Sequence, residues 1–243
     1  MKFKHGLAAV IAAGVIGISA GVANAADMRQ PVYKAAPMVA PGFNWTGFYL
    51  GGVGGYAWGD SDANPTGPLA FIATTMRAEP DGWLAGGTIG YNFQQGNLVL
   101  GTEGEFYWSD LQGGQSSNVI VPATATYSNN WTGTLSTRLG VAFDTMLVYG
   151  KAGVAWANND YHLTLGAPGD YSSTVSDTET GWLVGGGVEW AFARNWSAKI
   201  EGTYMDFGQK NKSFAPVVGG IPINADIDAQ ISTVKFGVNY RFY

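Results

Sequence analysis

Not one cysteine occurs among the 243 residues. Disulfide stapling and thiolate chemistry, whether metal-binding or redox, are therefore excluded. Charge is scarce as well: Asp, Glu, Lys and Arg make up 13% of the chain, against about 25% in an ordinary globular protein. The charge present leans acidic, with 18 acidic and 13 basic side chains. Nucleic acid and polybasic membrane-surface binding both need the opposite balance. No apolar run after residue 25 is long enough for a transmembrane helix.

Glycine (36 residues) and aromatics (14%) are plentiful instead. The one long apolar stretch, LAAVIAAGVIGISAGVA (7–23), follows Lys2 and Lys4 and runs into Ala23-Asn24-Ala25. A positive start, an apolar middle and a small-x-small site describe a secretory signal peptide over residues 1–25; an N-terminal membrane anchor is the alternative. Cleavage after Ala25 leaves 11 basic and 18 acidic side chains, a net charge of −7. Residues 26–44, with Pro31, Pro37 and Pro41, lack periodicity and read as an extended periplasmic linker.

From Thr46 the dominant signal is alternation with period two. In LVLGTEGEFYW (98–108), Leu98, Leu100, Phe106 and Trp108 share one face, and Glu103 and Glu105 lie on the other. Similar splits recur along the chain. Leu135, Leu139, Val141 and Phe143 oppose Ser136 and Arg138; Val148, Val154 and Trp156 oppose Lys151. Trp182, Val184, Val188, Trp190 and Phe192 oppose Glu189. Trp196, Ile200 and Tyr204 oppose Lys199 and Glu201, and Val234, Phe236, Val238, Tyr240 and Phe242 oppose Lys235, Asn239 and Arg241. With 83–93 and the glycine-diluted 46–59, eight strands are expected.

Three connections are short (94–97, 144–145, 193–195) and four are long (60–82, 109–131, 158–179, 208–229). Because short and long alternate strictly, the long ones share one end. This predicts an all-β fold: an eight-stranded antiparallel up-and-down transmembrane barrel over residues 45–243, with four long extracellular loops and three short periplasmic turns.

A soluble barrel buries its apolar face, whereas a membrane barrel turns it to lipid. The apolar face carries too many tryptophans to fill a narrow interior, and they gather at strand ends. Trp58, Trp83, Trp108, Trp131, Trp156 and Trp182 fall at the long-loop rim, and Trp190 and Trp196 at the other. Two such levels form the aromatic girdles of a lipid-embedded barrel. The polar face then points inward, bringing Glu103, Glu105, Glu189 and Glu201 together with Arg138, Lys151, Lys199, Lys235 and Arg241. Four acids against five bases in a side-chain-filled interior predict an ion-pair network that closes the lumen.

NWTGFYLGGVGGYAWG (44–59), GWLVGGGVEWAF (181–192), NWSAKIEGTYMDFG (195–208) and VKFGVNYRFY (234–243) carry a family resemblance. The chain resembles the porin-family, or outer-membrane immunogenic, small β-barrel proteins of alphaproteobacteria, within the OmpA/OmpX-like and opacity-protein superfamily. The resemblance implies location in the Gram-negative outer membrane and contact with its lipid and lipopolysaccharide. It implies an envelope-integrity role and, in some members, adhesion, immune recognition or haem binding. It also implies that Tyr240, Phe242 and Tyr243 form a C-terminal assembly signal read by the outer-membrane insertion machinery.

Chemistry beyond this is thin. His162 is the one histidine after the signal segment, and Tyr161-His162 beside Ser172 and Ser173 is a weak basis for nucleophilic catalysis. Asp60-Ser61-Asp62 is a weak cation site. Asn44-Trp-Thr, Asn130-Trp-Thr and Asn195-Trp-Ser match a glycosylation pattern, but each reads as a turn residue, a belt tryptophan and a β-former at a strand start. The expectation is a monomeric, non-enzymatic barrel without cofactor or metal and without a nucleic-acid partner. The alternatives are a narrow passive pore, a haem or host-ligand receptor acting through the loops, and a soluble secreted barrel.

Overall fold

The structure is a computed structural model that describes residues 43–66, 76–117, 123–165, 171–218 and 221–242. The expected signal peptide, and the linker up to residue 42, lie outside the described residues. The strands are β1 (Gly47–Thr66), β2 (Met76–Ala78), β3 (Asp81–Gln95), β4 (Leu98–Ser117), β5 (Ala123–Phe143), β6 (Met146–Leu165), β7 (Tyr171–Ala191), β8 (Trp196–Val218) and β9 (Ile221–Phe242). Eight are long and close a ring in the order β1-β3-β4-β5-β6-β7-β8-β9, with β9 pairing back onto β1. Short β2 pairs with Ser61–Ala63 at the upper end of β1. All ladders are antiparallel, as the alternation predicts.

The turns at one end are tight: Gly96–Asn97, Asp144–Thr145 and residues 192–195. Asp144 adopts a left-handed conformation (φ 53°), which a short polar side chain tolerates.

The faces divide as the sequence requires. Phe48, Leu50, Ile89, Phe93, Leu100, Leu135, Leu139, Val148, Val184, Ile200, Phe236 and Val238 are exposed on the outside. A soluble monomer rarely shows so much contiguous apolar surface. Apolar-out and polar-in is the membrane arrangement. On β7, Trp182 and Trp190 both point outward. At about 3.4 Å per residue and a tilt of about 40°, they stand roughly 20 Å apart along the barrel axis, near the ~25 Å apolar band of such barrels.

The long connections differ from the sequence reading. Much of what reads as loop continues the strands, with ladders such as Gln115↔Ala125, Leu163↔Ser173 and Lys212↔Ala225. The outer face of these upper arms stands in water, as the exposure of Asp110, Gln112, Ser172, Thr174 and Ser176 shows, while inward residues as different as Leu111, Asn129, Asn159 and Ala225 are buried. The apolar/polar contrast that reveals a strand therefore vanishes from the sequence while the backbone pairing persists.

Candidate functional site

The inward positions of the lower half of the barrel form one buried polar cluster. Glu103 and Glu105 stand two residues apart on β4, so the pleat turns both inward. Lys151 of β6 places its ammonium 3.1 Å from Glu103, 3.0 Å from Glu105 and 2.7 Å from Glu201 of β8. Lys199, also on β8, lies 2.8 Å from Glu103 and 3.1 Å from Glu105. Lys235 of β9 pairs with Glu105 and lies 3.0 Å from Glu201.

A second tier lies toward the short turns. Arg138 of β5 reaches Glu103 at 3.5 Å and Glu189 of β7 at 3.1 Å, and its Nε donates to Asn92 of β3 at 2.8 Å. Its guanidinium sits between the rings of Tyr49 and Tyr149, 4.8 and 4.9 Å from their centroids. Glu189 also accepts from Ser197 (2.5 Å) and Asn239 (3.0 Å), and Arg241 lies 3.8 Å away. The hydroxyls of Tyr49 and Tyr149 donate to Glu103 (2.9 Å) and Glu201 (2.8 Å). Each of the eight long strands contributes a member. All nine charged residues are at most 4% exposed.

Tyr49 reaches the cluster because its neighbour on β3 is Gly90. A Cβ there would collide with the Tyr49 hydroxyl. Glu103, Glu105 and Glu201 are close enough to share a metal ion, with ligand oxygens within 4.8 Å of one another. Those oxygens already face three ammonium groups, so the cluster is built around lysine rather than a metal ion.

Two further layers escaped the sequence reading. Toward the long connections the lumen turns apolar: Leu84, Tyr107, Leu111, Leu183, Met205, Phe207 and Ile231 pack together with Ala57, Ala155 and Ala157. At the other mouth Trp45 is fully buried, which corrects its reading as a belt residue. Its indole N–H donates to the Asp144 carbonyl (3.1 Å), and Arg241 stacks over its ring at 4.5 Å. Asp144 Oδ1 also accepts from the Phe43 amide at 3.2 Å, so the Asp144 turn holds the segment just before β1 in the mouth.

The tryptophans expected to form the girdles sit on the outer face. Trp58, Trp83, Trp108, Trp182, Trp190 and Trp196 are exposed. Trp131 and Trp156 are half-buried, and Trp131 stacks on Phe106. Tyr240 contacts both Trp196 and Phe242. Tyr243 lies outside the described residues.

His162 is on an upper arm, held by Thr174 (2.8 Å), Thr164 (3.2 Å) and Ser172 (3.4 Å) with no carboxylate among these partners. Ser173, one residue on, faces the other way. Asp60 and Asp62 are exposed on β1 rather than in a loop. The amides of Asn130 and Asn195 are engaged by Asp160 and by the Arg241 carbonyl, consistent with structural roles.

A closed ring of eight tilted strands, apolar to the outside and charged within, defines an outer-membrane β-barrel protein. The chain belongs to the outer membrane protein beta-barrel domain family, whose model matches residues 11–242. It is 32% identical to the 31 kDa outer-membrane immunogenic protein of Brucella melitensis, over 96% of this chain and 99% of that one. It is 33% identical to the 22 kDa outer membrane protein of Rhizobium leguminosarum, over 71% and 69%. Among solved structures it resembles OprG of Pseudomonas aeruginosa (TM-score 0.53, 14% identity, 82% of this chain and 99% of that one). It also resembles the protease OmpT of Escherichia coli (TM-score 0.53, 10% identity, 84% and 99%). At such identities these two likenesses speak for the fold alone. The protein is thus an outer-membrane barrel related to outer-membrane immunogenic proteins.

Proposed function

We propose that the protein is a sealed, non-enzymatic barrel that serves envelope integrity and presents its upper strands for interaction at the cell surface. The observation that carries this reading is the triple bridge of Lys151, Lys199 and Lys235 to Glu103, Glu105 and Glu201 inside the lumen. Each charge is neutralised by several partners, the condition under which buried charges are tolerated. The apolar layer above adds a barrier that resists wetting. Lipid and lipopolysaccharide surround a monomer, and outward Tyr240 and Phe242 serve the insertion machinery. The partners of His162 among the described residues are the hydroxyls of Thr164, Ser172 and Thr174 rather than the acid that orients a catalytic base.

One observation favours a narrow passive pore as the second reading. The hydroxyls of Thr88, Thr134 and Thr233 are buried with no protein partner, so water is their natural partner. A connected file of such waters would conduct. Osmotic swelling of vesicles carrying the refolded protein separates the two. Vesicles impermeable to potassium chloride and to small sugars support the seal; swelling above protein-free vesicles supports the pore.

A further inference from the structure

Above the upper row of outward tryptophans the barrel wall divides. The β7–β8 ladder stops at Trp182↔Asp206. β8 turns away at a register shift between Asp206 and Gln209, beside Gly208 (φ 64°), and pairs on with β9. Such a bulge bends a strand from its neighbour, here leaving a seam. On one side of the seam the upper parts of β4, β5, β6 and β7 continue as a single four-stranded sheet. Trp108, Trp131, Trp156 and Trp182 stand at its foot.

The outer face of this sheet is built almost wholly from hydroxyls and amides. Asn158 and Thr178 begin it just above Trp156. Gln112, Ser128, Asp160 and Ser176 form one row across the four strands. Thr126, His162 and Thr174 form the next, and Thr124, Thr164 and Ser172 the one above. These side chains point away from buried Leu111, Asn129, Asn159 and Glu179. Rows stand about 7 Å apart along the strands, and columns about 4.8 Å apart across them.

The lattice is braced sideways. His162 meets Thr174 (2.8 Å), Thr164 (3.2 Å) and Ser172 (3.4 Å), and Asn130 donates to Asp160 at 2.7 Å. A hydroxyl has one donor and two acceptor sites, so bonds remain for a ligand. Threonine is stiff at χ1, and short ordered side chains lose little entropy on binding.

Charge narrows what this face can meet. Residues 109–117, 123–130, 157–165 and 171–181 hold no lysine or arginine, the groups that recognise phosphate. The outer face above β1, β8 and β9 carries Asp60, Asp62, Asp206 and Asp228 instead, and repels an anionic lipid. The hydroxyl face also runs straight on from the lipid-facing surface. At about 3.4 Å per residue and a tilt of about 40°, Asp160 lies roughly 10 Å above Trp156 and Thr164 roughly 20 Å. That zone begins at the headgroup level where interfacial tryptophans sit.

We propose that the outer face of upper β4–β7 binds the core sugars of lipopolysaccharide, through hydroxyl and amide hydrogen bonds rather than through the phosphates. Direct and water-bridged bonds both serve. This binding rests on the lipopolysaccharide contact proposed above and names its face and chemistry.

The test uses the full barrel in detergent micelles, with bound lipid counted by native mass spectrometry. Two probes are titrated: lipopolysaccharide carrying its core sugars, and lipid A without them. The core-bearing form is expected to bind about tenfold more tightly, and chelating divalent cations should leave that ratio unchanged. The variant Thr126→Val/Thr174→Val/Thr178→Val keeps side-chain shape and strand propensity while deleting three hydroxyls. Its preference should fall to about twofold or less, with the urea midpoint close to that of the unaltered barrel. Asp60→Asn/Asp228→Asn, on the acidic face, should keep the preference. Free core oligosaccharide should compete, and dextran should not. Equal affinity for both probes overturns the proposal, as does a preference that survives the valine variant. A preference lost on chelation would place the contact on phosphates and overturn it too, and equal competition by dextran would mean unselective adsorption. Failure of both probes to bind removes the lipopolysaccharide contact itself, whereas equal binding of both removes only this face.

Discussion

Tyr49 of β1 and Glu103 of β4 meet over the intervening strand, the phenol donating to the carboxylate at 2.9 Å. The contact exists because Gly90 of β3 leaves the space the ring fills. Through it β1 and β3, which bring no charge to this cluster, join a network whose charges come from β4 to β9.

Gly90→Ala should push Tyr49 off Glu103 and strain the β1–β3 wall. Overpacking at such a site costs about 1–3 kcal/mol. Urea unfolding of the micelle-bound barrel should show a lower midpoint, and Tyr49→Phe, which keeps the ring, should lose less.

Removing one member of a buried ion cluster leaves its partners uncompensated, at a cost of about 3–5 kcal/mol. Glu103 touches Arg138, Lys151 and Lys199, so Glu103→Ala should rank among the most destabilising single changes by the same assay. Exposed Asp110→Ala should be close to neutral.

Trp45 and the girdle tryptophans should respond differently to brominated lipid. In proteins retaining one tryptophan, emission from Trp83, Trp108 or Trp182 should be quenched and emission from Trp45 spared. Trp45→Ala should also open the lower mouth and cost about 3–5 kcal/mol, the usual loss for a buried tryptophan.

Amides of the upper arms should resist hydrogen exchange. Ladder residues such as Tyr127↔Tyr161 and Asn159↔Asp177 belong to strands, so their protection should exceed that of a surface loop. Exchange as fast as in an unstructured peptide would speak against the strand extensions.

The strands that face lipid were legible because one face must be apolar and the other polar, and Glu103, Arg138 and Lys235 fell on the polar parity at once. Tyr49 was not. A tyrosine has an apolar body and a polar tip, so parity among glycines in 46–59 could not tell lumen from girdle. Trp45 copied the Asn-Trp-Thr pattern of Trp131, and what separates them is the Asp144 turn, distant in sequence. The apolar upper lumen around Leu183 and Met205 was hidden because apolar residues there occupy both faces of their strands. The seam depends on Gly208 and a register shift, which no local composition announces.

Single-channel recording of the refolded protein in a planar bilayer, beside a Glu103→Gln/Glu105→Gln variant, tests the sealed lumen most directly. Silence from the unaltered barrel is the expected result. The variant should conduct or insert poorly, since it frees Lys151, Lys199 and Lys235 from their partners. Steady openings of the unaltered barrel, with an ion selectivity that the variant changes, would contradict the account and make the charged interior a path.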